Sequence, residues 1–270
     1  MKPDTDLNCA LLADDEPPPY QLFNATGSCS LVLVCDHASN RVPRNLNHLG
    51  LSPQTLDTHI AWDPGAAAVA QALATLLNAP LVMSNYSRLV IDCNRPPASP
   101  ESIPVQSDNL WIPGNQNLSE RDRKLRLDTI FNPYQQAIAQ LLEQRKTTTA
   151  LLSIHSFTPS LKGEHRPWQI GVAYFREALL AQALYTALES KAVLQQGVLV
   201  QPGAKWMVGF NQPYAIEEEF DYTVPAQGEA RGLPAAMVEI RQDTIGDNSA
   251  VEYWAERLAQ AWSEARSAID

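Results

Sequence analysis

Short apolar runs that stop against ionisable side chains constrain this chain more than any other feature. LVLVC from Leu31 runs into Asp36 and His37, and RLVID from Arg88 runs into Asp92, Asn94 and Arg95. ALLSI from Ala150 runs into His155 and Ser156, and AAMVEI from Ala235 carries Glu239 and then Arg241. PLVMS at Pro80, QIGVAY at Gln169 and GVLVQ at Gly197 are runs of the same kind. Such short, β-branched stretches suit strands buried on both faces. The segments between them read as helices. In DPGAAAVAQALATLLN, Asp63 and Pro64 stand where an N-cap and a first helical residue belong, and apolar residues follow at helical spacing. REALLAQALYTALES from Arg176 is similar, and SAVEYWAERLAQAWSEARSAID opens with a Ser249/Glu252 capping box. Ser119 to Arg145 is charged first and amphipathic later, with Pro133 expected to kink or break it. Strands alternating with helices predict an α/β fold, a mostly parallel mixed sheet covered by helices on both faces.

At 270 residues the chain is long enough for one large core, and a single domain over 28–270 is expected, preceded by an acidic, proline-containing arm over 1–27. A formal charge of -10 leaves no basic stripe, which argues against a nucleic-acid partner. No apolar window reaches membrane-spanning length and the N-terminus lacks a signal-like segment, so a cytoplasmic protein is expected. Cys9, Cys29, Cys35 and Cys93 show no CxxC spacing and fit free thiols in a reducing compartment. Two irregular stretches, from Pro96 to Asn117 and from about Pro202 to Gly232, are candidates for the walls of a site.

In a parallel sheet the carboxyl ends of the strands share one edge, where open α/β folds place their ligand crevices. His37 and His155 follow separate strands, and imidazole is a common zinc ligand. A catalytic zinc needs a third protein ligand, for which Asp63, Asn40 and His59 are the candidates. Asp63 has a competing role as a helix cap, and a neutral amide such as Asn40 competes badly with water. Glu239 is either neutralised by an arginine such as Arg241 or positioned as a general base. Arg88 and Arg95 bracket RLVID and suit bidentate capture of a substrate carboxylate, although Arg88 could instead pair with Asp36 or Asp92, and Arg95 could lie on the surface near prolines. His48 and His165 read as loop residues, and the acids of EEEFD from Glu217 as a solvated face. Ser39 and Ser156 lack the turn of a serine nucleophile.

Taken in order, CDHASNRVP, HIAWDPGA, SRLVIDCNRP, IHSF and VEIRQD resemble the N-formylglutamate amidohydrolase family, from about Leu31 to Asp247. The resemblance implies a fold like that of zinc carboxypeptidases and aspartoacylases. By that likeness SIHS points to His155 as a metal ligand, and VIDCNRP to Asn94 and Arg95 as the pair that holds the substrate carboxylate and supports the scissile carbonyl. VEIR likewise points to Glu239 as the catalytic glutamate. Where carboxypeptidases carry H-x-x-E, this chain has His37-Ala38-Ser39-Asn40, so the third ligand is either absent or, as we expect, Asp63 in HIAWDPGA.

The expectation is therefore a zinc-dependent hydrolase of N-formyl or N-acyl amino acids, with substrates like N-formyl-L-glutamate favoured. One zinc ion is expected on His37, Asp63 and His155, with Glu239 and Arg95 catalytic and Asn94, Arg95, Arg88 and Arg241 binding substrate. The partner is a small molecule, and the protein a monomer or small homo-oligomer. Two rivals are an amidase or peptidase on a modified peptide, served by the Pro96 and Pro202 loops, and a carboxylate-binding protein whose metal site decayed at Asn40.

Overall fold

In the computed structural model, residues 10–145, 150–190 and 206–269 are described. The strands of the main sheet are β1 (Tyr20–Phe23), β2 (Leu31–Cys35), β3 (Leu81–Ser84), β4 (Ala150–Phe157), β5 (Ile170–Ala173), β6 (Val208–Phe210) and β7 (Ala235–Arg241), in the order β1-β3-β2-β4-β7-β5-β6. The pairs β3/β2, β2/β4, β4/β7 and β5/β6 are parallel; β1/β3 and β7/β5 are antiparallel. The sheet is the expected mixed one. Its helices are α1 (Ala66–Leu77), α2 (Glu120–Arg126), α3 (Asn132–Glu143), α4 (Leu179–Ser190) and α5 (Asn248–Ile269). The GVLVQ run lies outside the described residues.

The alternation of side chains along each strand builds two cores and decides which face carries chemistry. Leu31, Leu33 and Cys35 of β2, Leu152 and Ile154 of β4, and Val238 and Ile240 of β7 meet α1, α4 and α5 on one face. α1 offers Ala66, Val69, Ala70, Leu73 and Ala74 to this layer, the spacing its sequence predicts. Val32 and Val34, Leu151, and Ala235 and Met237 face the other way, onto Tyr134, Ile138 and Leu141 of α3. Ser153, His155 and Glu239 share the parity of this second face. Register pairs Glu239 of β7 with His155 of β4 and Met237 with Ser153, so the two parallel strands deliver a carboxylate and an imidazole side by side.

Five expectations are corrected. RLVID is not a strand: Ser87 to Pro96 is a succession of turns, although Leu89, Val90 and Ile91 are buried. Side chains replace the missing ladder, since Arg126 NH1 donates to the Val90 carbonyl (2.9 Å), Asn115 Nδ2 to Leu89 (2.8 Å) and Gln135 Nε2 to Cys93 (2.7 Å). A buried loop has to satisfy its backbone in this way. Residues 20–23 of the stretch read as an arm form the edge strand β1 against β3. Asp63 does not cap α1: Gly65, at φ 82°, takes the N-cap position, and a Cβ there would meet Ile245 Cδ1 at 2.6 Å. At α5 it is Asp247, not Ser249, whose carboxylate accepts the Ala250 N–H (2.9 Å). Pro133 sits in the first turn of α3 after a π-turn over Leu127–Phe131, so the helical path continues past it. Cys29, Cys35 and Cys93 are free thiols. Among the described residues no helix is long and apolar enough to cross a membrane.

Candidate active site

The turn after β2, the turn before α1, the turns of 87–96 and the ends of β4 and β7 converge on one cavity of about 540 Å³. His37, Asp63, Arg88, Asn94, Arg95, His155 and Glu239 all line it. At its floor Asp63 Oδ2 lies 3.3 Å from His37 Nδ1 and 2.8 Å from His155 Nδ1, and also accepts the Ser156 N–H (3.3 Å). All three residues are buried, and one potential ligand atom from each falls within 4.8 Å of the others.

The opposite ring nitrogens are fixed from behind. His37 Nε2 meets Asp92 Oδ1 at 2.7 Å; His155 Nε2 meets Asp36 Oδ2 at 3.1 Å and Ser153 Oγ at 2.9 Å. Asp36 is itself held by hydroxyls of Tyr134 (2.9 Å), Thr223 (2.6 Å) and Ser153 (2.8 Å). Each histidine thus has a carboxylate on one nitrogen and turns the other toward Asp63, the arrangement that orients imidazoles for a metal. The donor set fits a divalent cation. Burial alone would push His155 down, but its hydrogen bonds to Asp36 and Asp63 outweigh that and hold it well above an ordinary imidazole. For Asp63 and Asp92 burial pushes up, and the charge of His37, ahead of His155 or Arg88, pulls both below the usual carboxylate range.

Glu239 behaves differently. It is buried, its Oε2 has no hydrogen-bond partner among the described residues, and burial lifts its pKa to about 7. Arg241, expected either to neutralise it or to bind substrate, does neither. Its guanidinium donates to Asp243 Oδ1 (2.7 Å) and to the Arg166 carbonyl (2.9 Å), and it is absent from the cavity wall. A carboxyl titrating near neutrality in a cleft is suited to move a proton.

Arg88 reaches the cavity but is engaged by Asp92 Oδ2 (2.9 Å) and Asp63 Oδ1 (3.5 Å), so it supports the histidine cluster. Asn94 accepts the Tyr222 and Thr223 N–H groups on Oδ1 (3.1 and 2.9 Å) and donates from Nδ2 to Asp221 Oδ1 (3.1 Å). Arg95 NH1 lies 3.4 Å from the same oxygen. Asp221 belongs to the EEEFD run read as solvated; it instead turns into the site, anchored by the Glu217 N–H (3.1 Å). Nothing in its local sequence separates it from its neighbours. Asp36 and Asp92 were likewise read only as partners for Arg88, and what could have found their role is their place, one beside a histidine and the other at the end of an apolar run. Of the other ligand candidates, Asn40 is outside, bound to Asp57 (2.9 Å), and His59 stands at the rim, 3.4 Å from Asp108. His165 is exposed in a small hairpin.

A cleft with two buried imidazoles, a carboxylate between them and an unpaired glutamate alongside defines a hydrolase whose centre could hold a metal. The chain belongs to the N-formylglutamate amidohydrolase family, whose model matches residues 29–246. Among solved structures it is similar to a gene product of Agrobacterium tumefaciens, with 34% identity and TM-score 0.88 over 96% of this chain and 99% of that one. It also shares its fold with an N-formylglutamate amidohydrolase from Ralstonia eutropha, with TM-score 0.61 and 18% identity over 94% of this chain and 99% of that one. No curated protein sequence matches it.

Proposed function

We propose that the protein hydrolyses the amide bond of an N-formyl or N-acyl amino acid, with N-formyl-L-glutamate-like substrates favoured, using one zinc ion on His37, Asp63 and His155. The observation that carries this reading is the pairing of the orphaned Glu239 carboxyl with the His37–Asp63–His155 cluster in one cavity. A divalent cation there supplies a Lewis acid for the acyl oxygen and acidifies water at neutral pH. Glu239, ionised above about pH 7, takes the proton of the attacking water and passes it to the leaving nitrogen. Its burial and missing partner keep that carboxyl basic enough for the first transfer and acidic enough for the second. Arg95, backed by Asn94, orients the substrate carboxylate and favours the negative charge that develops on the acyl oxygen. Asp221 holds both side chains in place before substrate arrives. Arg88 bridges the Asp63 and Asp92 carboxylates and favours the ionised form of Asp92, a supporting role in place of direct binding.

A longer substrate is the second reading. A groove of about 550 Å³, walled by His59, Arg88, Arg95, Glu101 and Leu161 of the same cavity, continues to the Gln106–Trp111 hairpin. An acylated peptide would run along it. Glu239→Gln separates catalysis from binding. Turnover of N-formyl amino acids should fall by about 10³-fold while bound zinc stays stoichiometric. Full activity in that variant would remove Glu239 from the mechanism, and hydrolysis of acyl peptides alone would favour the second reading.

A further inference from the structure

One buried cation stands beside the cavity without a role in the chemistry above. Arg166 is 8% exposed, and among the described residues its NH1 has no hydrogen-bond partner and no carboxylate is paired with it; the polar group its guanidinium does meet is the neutral Tyr214 hydroxyl. Burying a guanidinium without a counter-charge is expensive. The structure nevertheless holds it firmly. Its backbone N–H donates to Pro159 (2.9 Å), and its carbonyl accepts Arg241 NH1 (2.9 Å), which gives the strand-end Arg241 its place. The guanidinium carbon lies 4.7 Å from the centroid of Tyr214 and 5.7 Å from that of Phe157. Both rings line the cavity that holds Glu239.

Tyr214 is the cover. It is 39% exposed and sits in an irregular stretch between β6 and a π-turn over Thr223–Gly228, so its ring has solvent to move into. The stretch follows Gln212, whose carbonyl would come within 1.9 Å of a Cβ on Gly171, the residue paired with Glu239 across β5 and β7. A side chain at 171 would therefore push this wall away from the site.

We propose that Arg166 is the specificity-determining residue for a second carboxylate, the one on the substrate's side chain, which it meets when Tyr214 swings outward. This rests on the amide-hydrolase reading and extends it: Arg95 takes the carboxylate next to the scissile nitrogen, and Arg166 selects acidic amino acids over their neutral amides. A guanidinium already desolvated and lacking a counter-charge gains most from a ligand carboxylate, because its own desolvation cost is already met in the free protein.

The test compares kcat/KM for N-formyl-L-glutamate and N-formyl-L-glutamine, which differ only in that charge. The wild type should prefer the acid by about tenfold or more, and Arg166→Gln should erase the preference while leaving the glutamine substrate within about threefold. Arg166→Lys keeps the charge without the fork and should fall between them, which serves if the glutamine variant folds poorly. Calorimetric binding of the products L-glutamate and L-glutamine to the zinc-loaded wild type needs no turnover. A preference for glutamate there that Arg166→Gln loses supports Arg166 even if the hydrolase reading fails. Equal kcat/KM for the two substrates in the wild type, or an equal fall for both in Arg166→Gln, overturns the assignment and leaves the hydrolase reading intact.

Discussion

Asp92→Asn is the substitution that isolates the contribution of the residues behind the proposed metal ligands. Asp92 Oδ1 meets His37 Nε2 at 2.7 Å and accepts the Asn94 N–H at 2.9 Å, while Oδ2 receives Arg88 NH2 at 2.9 Å. An asparagine can still turn its oxygen to the histidine, preserving the tautomer that leaves Nδ1 free toward Asp63. It then points an amide N–H₂ at Arg88, donor against donor, in a site from which water is excluded. Arg88 is left with Asp63 Oδ1 at 3.5 Å as its remaining carboxylate and moves onto it, drawing charge from the ligand that sits between the two imidazoles. Both changes weaken the cluster. Outer-shell partners of this kind contribute about 10- to 100-fold in metal affinity, or roughly 1.4 to 2.8 kcal/mol. Competition against a chromophoric chelator measures the zinc dissociation constant directly, and it should rise within that range with the stoichiometry unchanged. Thermal unfolding of the metal-free variant provides the control for general damage. A dissociation constant within twofold of wild type, in a folded protein, would refute the reasoning that Asp92 orients His37 for a metal.

The remaining expectations use different handles. In the metal-free protein Glu239 should titrate near 7, and a bound dication, being positive and close, should lower that value; the carboxyl ¹³C shift of Glu239 against pH reads both, and a midpoint near 4.5 in the metal-free protein would refute its isolation. His155, held above the ordinary imidazole range by Asp36 and Asp63, gives up its proton to bind a metal, so apparent zinc affinity should fall as pH is lowered and binding should release protons, measured by calorimetry in buffers of different ionisation enthalpy. Replacing Arg126 by Met removes donors to the carbonyls of Val90 and Gly114 and to Asn115 Oδ1, and should cost about 3 kcal/mol in urea unfolding. Gly171→Ala should leave zinc binding unchanged and raise KM, since the Gln212 carbonyl has no flexible end that could yield.

The sequence made the fold legible wherever period and burial agreed. The runs that became β2, β4 and β7 carry alternating contacts to two cores, and α1 shows the face its spacing predicts. RLVID misled because apolar burial does not distinguish a strand from a buried loop; the difference lies in Arg126, Asn115 and Gln135, which reach the carbonyls of Val90, Leu89 and Cys93 from 26 to 42 positions away in the chain. β1 was hidden because an edge strand with an exposed face has little apolar signature. His37 and His155 are singled out by their placement after strands and Asp63 by the missing glutamate of H-x-x-E, and the structure brings the three side chains together. Asp221 and Arg166 were missed because their significance is a matter of which partner they meet or lack, and local sequence does not encode partners 70 to 130 residues distant.

The charge held at the floor of the cavity carries the synthesis one step further. Asp36, Asp63 and Asp92 are all buried and held below the usual carboxylate range, and among the described residues Arg88 is the one guanidinium in direct contact with any of them. Three carboxylates against one guanidinium leave two negative charges in a region of low dielectric, a cost that hydroxyl donors from Tyr134, Thr223 and Ser153 reduce without cancelling. Two protonated imidazoles or one dication restore neutrality, and the two solutions exclude each other at the same Nδ1 atoms. Glu239 stands outside that balance, since an added negative charge there is what burial and Asp63 both oppose. The cluster is therefore charged to suit a divalent ion, and on the proposed reading the asparagine at position 40 is no sign of decay, because Asp63 would supply from the α1 turn the carboxylate that the H-x-x-E spacing would have supplied from beside His37.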